Sequence, residues 1–447
     1  MKKYQVLFPV LLPLALFGSF AYMIQGRLQT REQYNACLAQ AVQYYKNGVT
    51  EEAVSSYQKA LEISPSIEVC LEIGQIYLEQ QQYQKAERLY SEQMVKQYPR
   101  DARTYEYGIQ TALAQNNPRK AYQVYDAGKE RGLQSEQMDT QMQPYRYSFN
   151  LAGAYDEVQG FSTSGRMAAV RIGDTWGYLK LNGQLAIQNL YRSAGLMGEL
   201  APVVDGEGEA FFVDGTGTRK ITEAYVLEKD PEFGQVQQFG AVQEGLIPAW
   251  NGTVWNYYDA QTFEKKFGGY RAVTQAADGV CAVSVDGENW ALVTVEGQQL
   301  TEFVYHQILL NDQEDPGCGG ISVAEKDGLF WLLDTSTGQP INQQGYEDAC
   351  AFNSAQILAA VKYNGQWMFV DAAGELTDLG VFQQAKSFSA GLAPAKKEGK
   401  WGYINSQGEW VIEPQFEDAD AFDASGAAFV KTEEGKWRLL TLDRFFH

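Results

Sequence analysis

From about residue 149 onward, apolar and polar positions alternate in runs of five or six residues, and glycines bound each run. Leu392-Ala-Pro-Ala-Lys-Lys, Trp401-Gly-Tyr-Ile-Asn and Trp410-Val-Ile-Glu-Pro-Gln-Phe carry the period of strands with one face buried. Before residue 149 the period changes. Residues 31–147 hold few glycines and repeat their apolar positions at helical spacing, which predicts paired helices. A last helix over about residues 135–147 is expected to cap the apolar edge of that stack.

The punctuation of the second region is regular. Trp176, Trp255, Trp290, Trp331, Trp367, Trp401 and Trp437 each open a short strand, with Ala210 at the corresponding site of one further unit. A glycine stands two or three residues upstream of all eight: Gly173, Gly208, Gly252, Gly287, Gly328, Gly365, Gly399 and Gly435. A second follows seven residues downstream in six: Gly183, Gly217, Gly297, Gly338, Gly374 and Gly408. Glycines so placed predict tight hairpin turns at positive φ. Each unit therefore reads as three or four short antiparallel strands, repeated with a period near 35 residues. The fixed indole is expected to form the layer between neighbouring units. The register at Trp331 is ambiguous, because Phe330 fits the upstream glycine better.

Lys400, Trp401 and Gly402 match the signature of the WG-repeat family, and Trp176-Gly177 keeps its Trp-Gly pair. The region resembles that family over about 280 residues, although the other units have drifted. It opens with Phe149-Asn-Leu-Ala-Gly-Ala-Tyr, which reads like the end of a unit, and it stops after the Trp437 strand without such an ending. The opening fragment is thus expected to complete the last unit, giving a β-propeller of about eight blades; the alternative is an open β solenoid.

In the helical region, Ile73, Gly74, Tyr77, Ala86 and Tyr90 form one helix pair. Tyr44, Ala53, Tyr57, Ala60 and Pro65 form the preceding pair, and Gly108, Ala121, Tyr125 and Gly128 a looser third. This pattern resembles the tetratricopeptide repeat. The resemblance implies a groove lined by the first helix of each pair, here Leu38, Val42, Tyr45, Leu71, Leu78, Tyr105 and Ile109. Such a groove suits an apolar or amphipathic peptide. Alternatively, it is filled by the chain's own capping helix or by the second domain.

The N-terminus carries Lys2 and Lys3 followed by 23 uncharged residues, Tyr4 to Gly26. As a helix this run would span about 34 Å, enough to cross a hydrocarbon core of about 30 Å. A retained single-pass anchor with the remainder extracytoplasmic is favoured over a cleaved signal peptide and secretion, because the small-residue cleavage pattern at Ser19-Phe20-Ala21 is weak. The organisation expected is an anchor over 1–27, helical repeats over 28–148 and β repeats over 149–447.

Charge separates the regions. Residues 1–148 hold 16 basic and 15 acidic residues, whereas 149–447 hold 20 and 41. The acidic second region disfavours nucleic acid as a ligand. Two histidines, His306 and His447, leave no basis for a His-dependent triad or multi-His metal site. Five scattered cysteines show no metal-ligand spacing and read as small buried residues. The carboxylate groups Asp205/Glu207/Glu209, Asp312/Glu314/Asp315 and Asp418/Asp420/Asp423 lack a complete calcium-loop spacing and read as solvated turns. The expectation is a non-enzymatic, cofactor-free scaffold that binds protein partners at a cell surface. The alternative is a carbohydrate-binding or glycan-processing module, with Trp250 and Trp410 as surface aromatics off the repeat position.

Overall fold

The computed structural model describes residues 8–161, 167–198, 200–353 and 358–445, with side chains at Gln25 and from Arg27 onward. The chain divides into two compact units between Ser148 and Phe149.

The first unit is helical: Phe8–Lys46, Thr50–Ile63, Ile67–Glu79, Tyr83–Arg88, Ala102–Ala114, Pro118–Glu130 and Glu136–Met142. Short polar side chains start several of these helices. Ser66 accepts from Val69 N, Asn117 from Lys120 N and Ser135 from Met138 N, each satisfying an otherwise unpaired donor of the first turn. Glycines let adjacent helix pairs interlock. A Cβ on Gly74 would lie 2.4 Å from the Tyr107 ring, and one on Gly108 would lie 2.6 Å from the Tyr90 ring. The close approach at Gly74 is therefore to an aromatic of the following unit. The helix that begins at Tyr83 runs on through a π-turn, Leu89–Met94, to Val95–Gln97. Such single π-turns occur as local bulges inside α-helices.

Among the described residues no helix is long and apolar enough to cross a membrane. The expected span, Tyr4 to Gly26, falls almost wholly on residues whose side chains lie outside that description.

The second unit is an eight-bladed β-propeller, with blades at 157–191, 193–222, 238–270, 272–294, 307–334, 348–382, 384–416 and 418–442. Blades 4 and 5 have three strands and the others four. The fourth strand of blade 8 is Phe149–Tyr155, which pairs antiparallel with Trp437–Leu442 in the register Phe149↔Leu442 to Tyr155↔Trp437. The ring is closed by the first strand of the unit, and the open-solenoid alternative falls. All fourteen punctuating glycines have positive φ, from Gly173 at 63° to Gly252 at 92°.

Two expectations about the repeat need correction. In blade 5 Phe330, not Trp331, occupies the shared site: Glu325 pairs with Phe330 as Lys362 pairs with Trp367 and Lys396 with Trp401. Nor is the indole the principal filling between blades. Trp176, Trp255, Trp290 and Trp437 are half-buried, and only Trp367 and Trp401 are buried. The fully buried position lies two residues further on, at Tyr178, Phe212, Tyr257, Leu292, Leu332, Phe369, Tyr403 and Leu439. There the side chain reaches the next blade. The hydroxyls of Tyr178, Tyr257 and Tyr403 donate to the carbonyls of Gly195, Thr274 and Asp420 at 2.8, 2.6 and 2.8 Å. Phe212, Phe369 and Tyr403 pack on Phe239, Phe388 and Phe422 with centroids 4.9, 4.8 and 4.6 Å apart. The half-buried indoles Trp176, Trp290 and Trp437 pack against the same clusters, where a large ring tolerates partial exposure.

Candidate functional site

The helical unit holds the first candidate. Of the seven residues expected to line its groove, Leu38, Tyr45, Leu71 and Leu78 are half-buried and Val42 is 41% exposed. Tyr105 and Ile109 are fully buried and line no open surface. They belong to a core closed by the capping helix, whose Met138 and Met142 pack in the same cluster. Gly128 makes room for this: a Cβ there would lie 2.7 Å from the Met138 terminal methyl and 3.1 Å from Tyr105. The chain's own last helix thus occupies the third pair's share of the groove, leaving that of the first two.

The remaining groove is apolar along its floor and acidic at its edge. The Tyr45 hydroxyl donates to Glu79, and this bond, with burial and the Glu79 and Glu72 charges, pushes the phenol above its ordinary range. Arg103 bridges Glu68 at 2.9 Å and its own cap residue Asp101 at 2.7 Å. Two clefts of about 310 and 380 Å³ lie elsewhere, between the second helices of these pairs, and share Gln58, Tyr77 and Lys85. Sequence spacing gave no hint of them, because packing between second helices depends on how far consecutive pairs rotate.

The propeller holds the second candidate, on its axis. The loop between the first two strands of blade 5 covers residues 310–320, against 386–391 in blade 7. Its tip is a tight turn in which the Asn311 side-chain oxygen accepts from Gln313 N at 2.9 Å and Asp315 N at 3.0 Å. Blade 5 stands opposite blade 1 in an eight-membered ring, yet a Cβ on Gly160 of blade 1 would lie 2.3 Å from the Asp312 carbonyl oxygen. The loop therefore crosses the axis. It is tied to other blades on the way. Asp312 N donates to Asn353 Oδ1 at 3.1 Å, and Asn353 returns a bond of 3.0 Å to the Asp312 carboxylate. Gln275 donates to Gln313 O at 2.6 Å and to Asp315 at 2.8 Å, and Gln243 reaches Asp315 at 3.4 Å.

Two of the acidic groups read as solvated turns meet here. Asp312 and Gln313 line a cavity of about 180 Å³ with Asp420, Asp423, Gly160 and Phe161. Glu314 lines another of about 250 Å³ with Gln159, Gln238 and the start of blade 2. Burial pushes the Asp312 carboxyl up, and pushes Asp315 and Asp420 up to about 6; Glu314 is exposed, and solvent screens its carboxyl. Lys386 works against this, 3.0 Å from Asp418 and 3.2 Å from Asp420. Burial alone would lower its ammonium, but those carboxylates hold it above its ordinary range. The third group behaves as expected, with Asp205 accepting from Glu207 N and Glu209 N inside its own turn.

The other singled-out residues are engaged locally. Trp250 is half-buried against Trp255, ring centroids 5.6 Å apart, and Trp410 meets Phe382 edge-on at 6.2 Å. Neither is a free surface aromatic. His306 is exposed and lies 3.3 Å from Glu325, and His447 lies outside the described residues. All five cysteines are free; Cys70 and Cys281 are buried, and Cys37, Cys318 and Cys350 are half-buried. Among the described residues no group of three metal-ligating side chains is found.

Fold and sites together define a two-part repeat protein, a short helical-repeat stack followed by a closed propeller. Comparison with known families agrees over part of the chain. The family described as WG containing repeat matches residues 367–401 and 401–437, and the tetratricopeptide repeat matches residues 34–67. No curated protein matches the chain. Similar solved structures include the computationally designed Ika8 protein, with 13% identity over 65% of this chain and 97% of that one at a TM-score of 0.44. BamB from Moraxella catarrhalis shows 8% identity over 66% and 97% at 0.37, and a eukaryotic initiation factor 10% over 68% and 88% at 0.42. At these scores the likeness carries no argument about function.

Proposed function

We propose that this protein is a non-catalytic, membrane-anchored interaction scaffold that holds a protein partner on its helical repeats. The open part of the groove supports this reading most directly. Leu38, Val42, Leu71 and Leu78 keep apolar surface accessible beside Tyr45 and Glu79, an arrangement suited to the apolar face of an amphipathic segment. The anchor reading rests on the Tyr4–Gly26 run, and Lys2 and Lys3 favour the repeats on the extracytoplasmic side.

The test is a pulldown from envelope extracts with the full chain. Wild type is expected to recover a discrete partner, and Val42→Glu with Leu78→Glu is expected to weaken that recovery at least tenfold, about 1.4 kcal/mol. Recovery unchanged by both substitutions, or no partner at all, would count against the groove. In the same cells the chain is expected in the membrane pellet. A thiol placed by Asn35→Cys, an exposed position, is expected to react with an impermeant reagent before lysis; reaction only after lysis would reverse the orientation.

A further inference from the structure

We infer that the blade 5 loop, residues 310–320, is a pH-sensitive latch across the propeller axis, seated in mildly acidic conditions and released as its carboxylates ionise. The argument begins with placement. One loop touches blade 1 at Gly160, blade 3 at Gln243, blade 4 at Gln275 and blade 6 at Asn353. It also shares a cavity with Asp420–Asp423 of blade 8. Ring closure by Phe149–Tyr155 ties blade 8 to its own fourth strand, whereas this loop ties blades across the diameter. Its departure would leave the ring closed but open the axial mouth.

Charge supplies the trigger. Among the described residues, Asp312 faces Asp420 and the Lys386 ammonium. Asp315 faces Glu244 and Glu314, and its neighbour Cys318 feels Asp278 as well as Asp315. Lys386 is the only cation that figures in these contacts, and Asp418 and Asp420 already share it. The Lys386 and Asp420 side chains keep 29% and 31% of their surface accessible, so solvent screens part of their interaction, and Asp420 lines the cavity it shares with Asp312 and Gly160. Three carboxylates, Asp312, Asp418 and Asp420, share one ammonium, and Asp315 lies against Glu244 and Glu314 with no cation among those contacts; within each set the carboxylates repel one another when all are ionised. Protonation removes that repulsion and leaves the hydrogen bonds from Gln275, Gln243 and Asn353 in place.

The sign follows from linkage. A carboxyl whose pKa is higher in the seated state than in the free loop stabilises seating fully below its ordinary pKa. That contribution is lost as pH rises through the seated value. For Asp315 the window runs from 3.8 to about 6. By that shift alone, the ratio of seated to released loop is expected to fall about tenfold between about pH 5 and about pH 7.5.

Hydrogen exchange on the full chain, corrected for the intrinsic pH dependence of amide exchange, reads this directly. Amides of Asp312, Glu314 and Asp315, which donate within the seated loop or to Asn353, are expected to lose about tenfold protection over that pH range. The neighbouring strand Ile321–Lys326 should hold its protection. Asp315→Asn with Asp420→Asn should weaken the dependence, leaving only the share carried by Asp312, and raise loop protection at the higher pH. Gly160→Ala, which puts a methyl against the Asp312 carbonyl, should lower loop protection at both values. Loop protection that does not change with pH, a dependence undiminished by the double substitution, or loss shared equally by Ile321–Lys326 would each overturn the latch.

Discussion

Tyr403→Ala is expected to destabilise the propeller by about 3–5 kcal/mol, the usual cost of emptying a large aromatic site in a packed interior. Tyr403 is fully buried, packs on Phe422 and donates to the Asp420 carbonyl of the next blade. The substitution therefore opens a cavity at the blade 7–blade 8 seam and strands a buried carbonyl. Tyr403→Phe keeps the ring and loses only the hydrogen bond, so about 1 kcal/mol is expected. Trp290→Ala, at a half-buried indole, should cost less than Tyr403→Ala although it removes more atoms. Urea unfolding followed by tryptophan fluorescence gives all three. If Trp290→Ala proved the most costly, the indoles rather than the residues two positions on would be holding the blades together.

The second large effect concerns Gly402. It has an ordinary backbone, yet a Cβ there would lie 2.4 Å from Ile412 O, 2.7 Å from Pro414 N and 2.8 Å from Glu413 C. The fourth strand of blade 7 shifts register opposite this residue and its main chain crosses directly over it. Gly177 is in the same position under Ile187, Gln188 and Asn189. This is a physical reason for the glycine of the Trp-Gly pair: it leaves room for a neighbouring backbone rather than for a turn. Blade 3 reverses the arrangement. Asn256 takes the site and Gly268, at φ 156°, comes opposite it in the fourth strand, with Gly269 N donating to the Asn256 side chain at 2.9 Å. Gly402→Val is expected to cost about 3 kcal/mol or more, because backbone cannot yield as a side chain can. Gly399→Ala, at φ 83° with open space around it, should cost only about 1 kcal/mol of backbone strain. Equal costs at the two positions would contradict this distinction.

Much of the architecture was legible because it rests on local rules. Turn glycines, strand alternation and an ending displaced to the start of the β region are all readable in one dimension, and they led to eight blades and to closure by Phe149–Tyr155. What failed was a matter of three-dimensional neighbours. Tyr105 and Ile109 occupy groove positions in their own helix; the sequence left open that the capping helix fills the groove, and the structure shows that it does so only at the third pair, through Met138 and Met142. The position two residues after each repeat tryptophan carries Tyr, Phe or Leu, so no single residue type marks that site in the sequence. Asp312 and Asp420 are more than a hundred positions apart, each in a stretch that looks like an ordinary polar turn. Nothing short of the closed ring brings them together.

That ring underlies both the seams between blades and the loop across the axis, so its closure is the claim to test first. Asn150 and Thr441 are paired across the junction of first and last strands, and paired residues of antiparallel strands lie about 4.5–5.5 Å apart at Cα, within reach of a disulfide. With Asn150→Cys and Thr441→Cys in the full chain, mild oxidation followed by peptide mapping is predicted to yield a 150–441 disulfide. The control pair Asn150→Cys and Thr294→Cys, with Thr294 in blade 4, is predicted to yield none. Failure of the 150–441 link under conditions in which both thiols react with a small alkylating reagent would contradict a closed propeller.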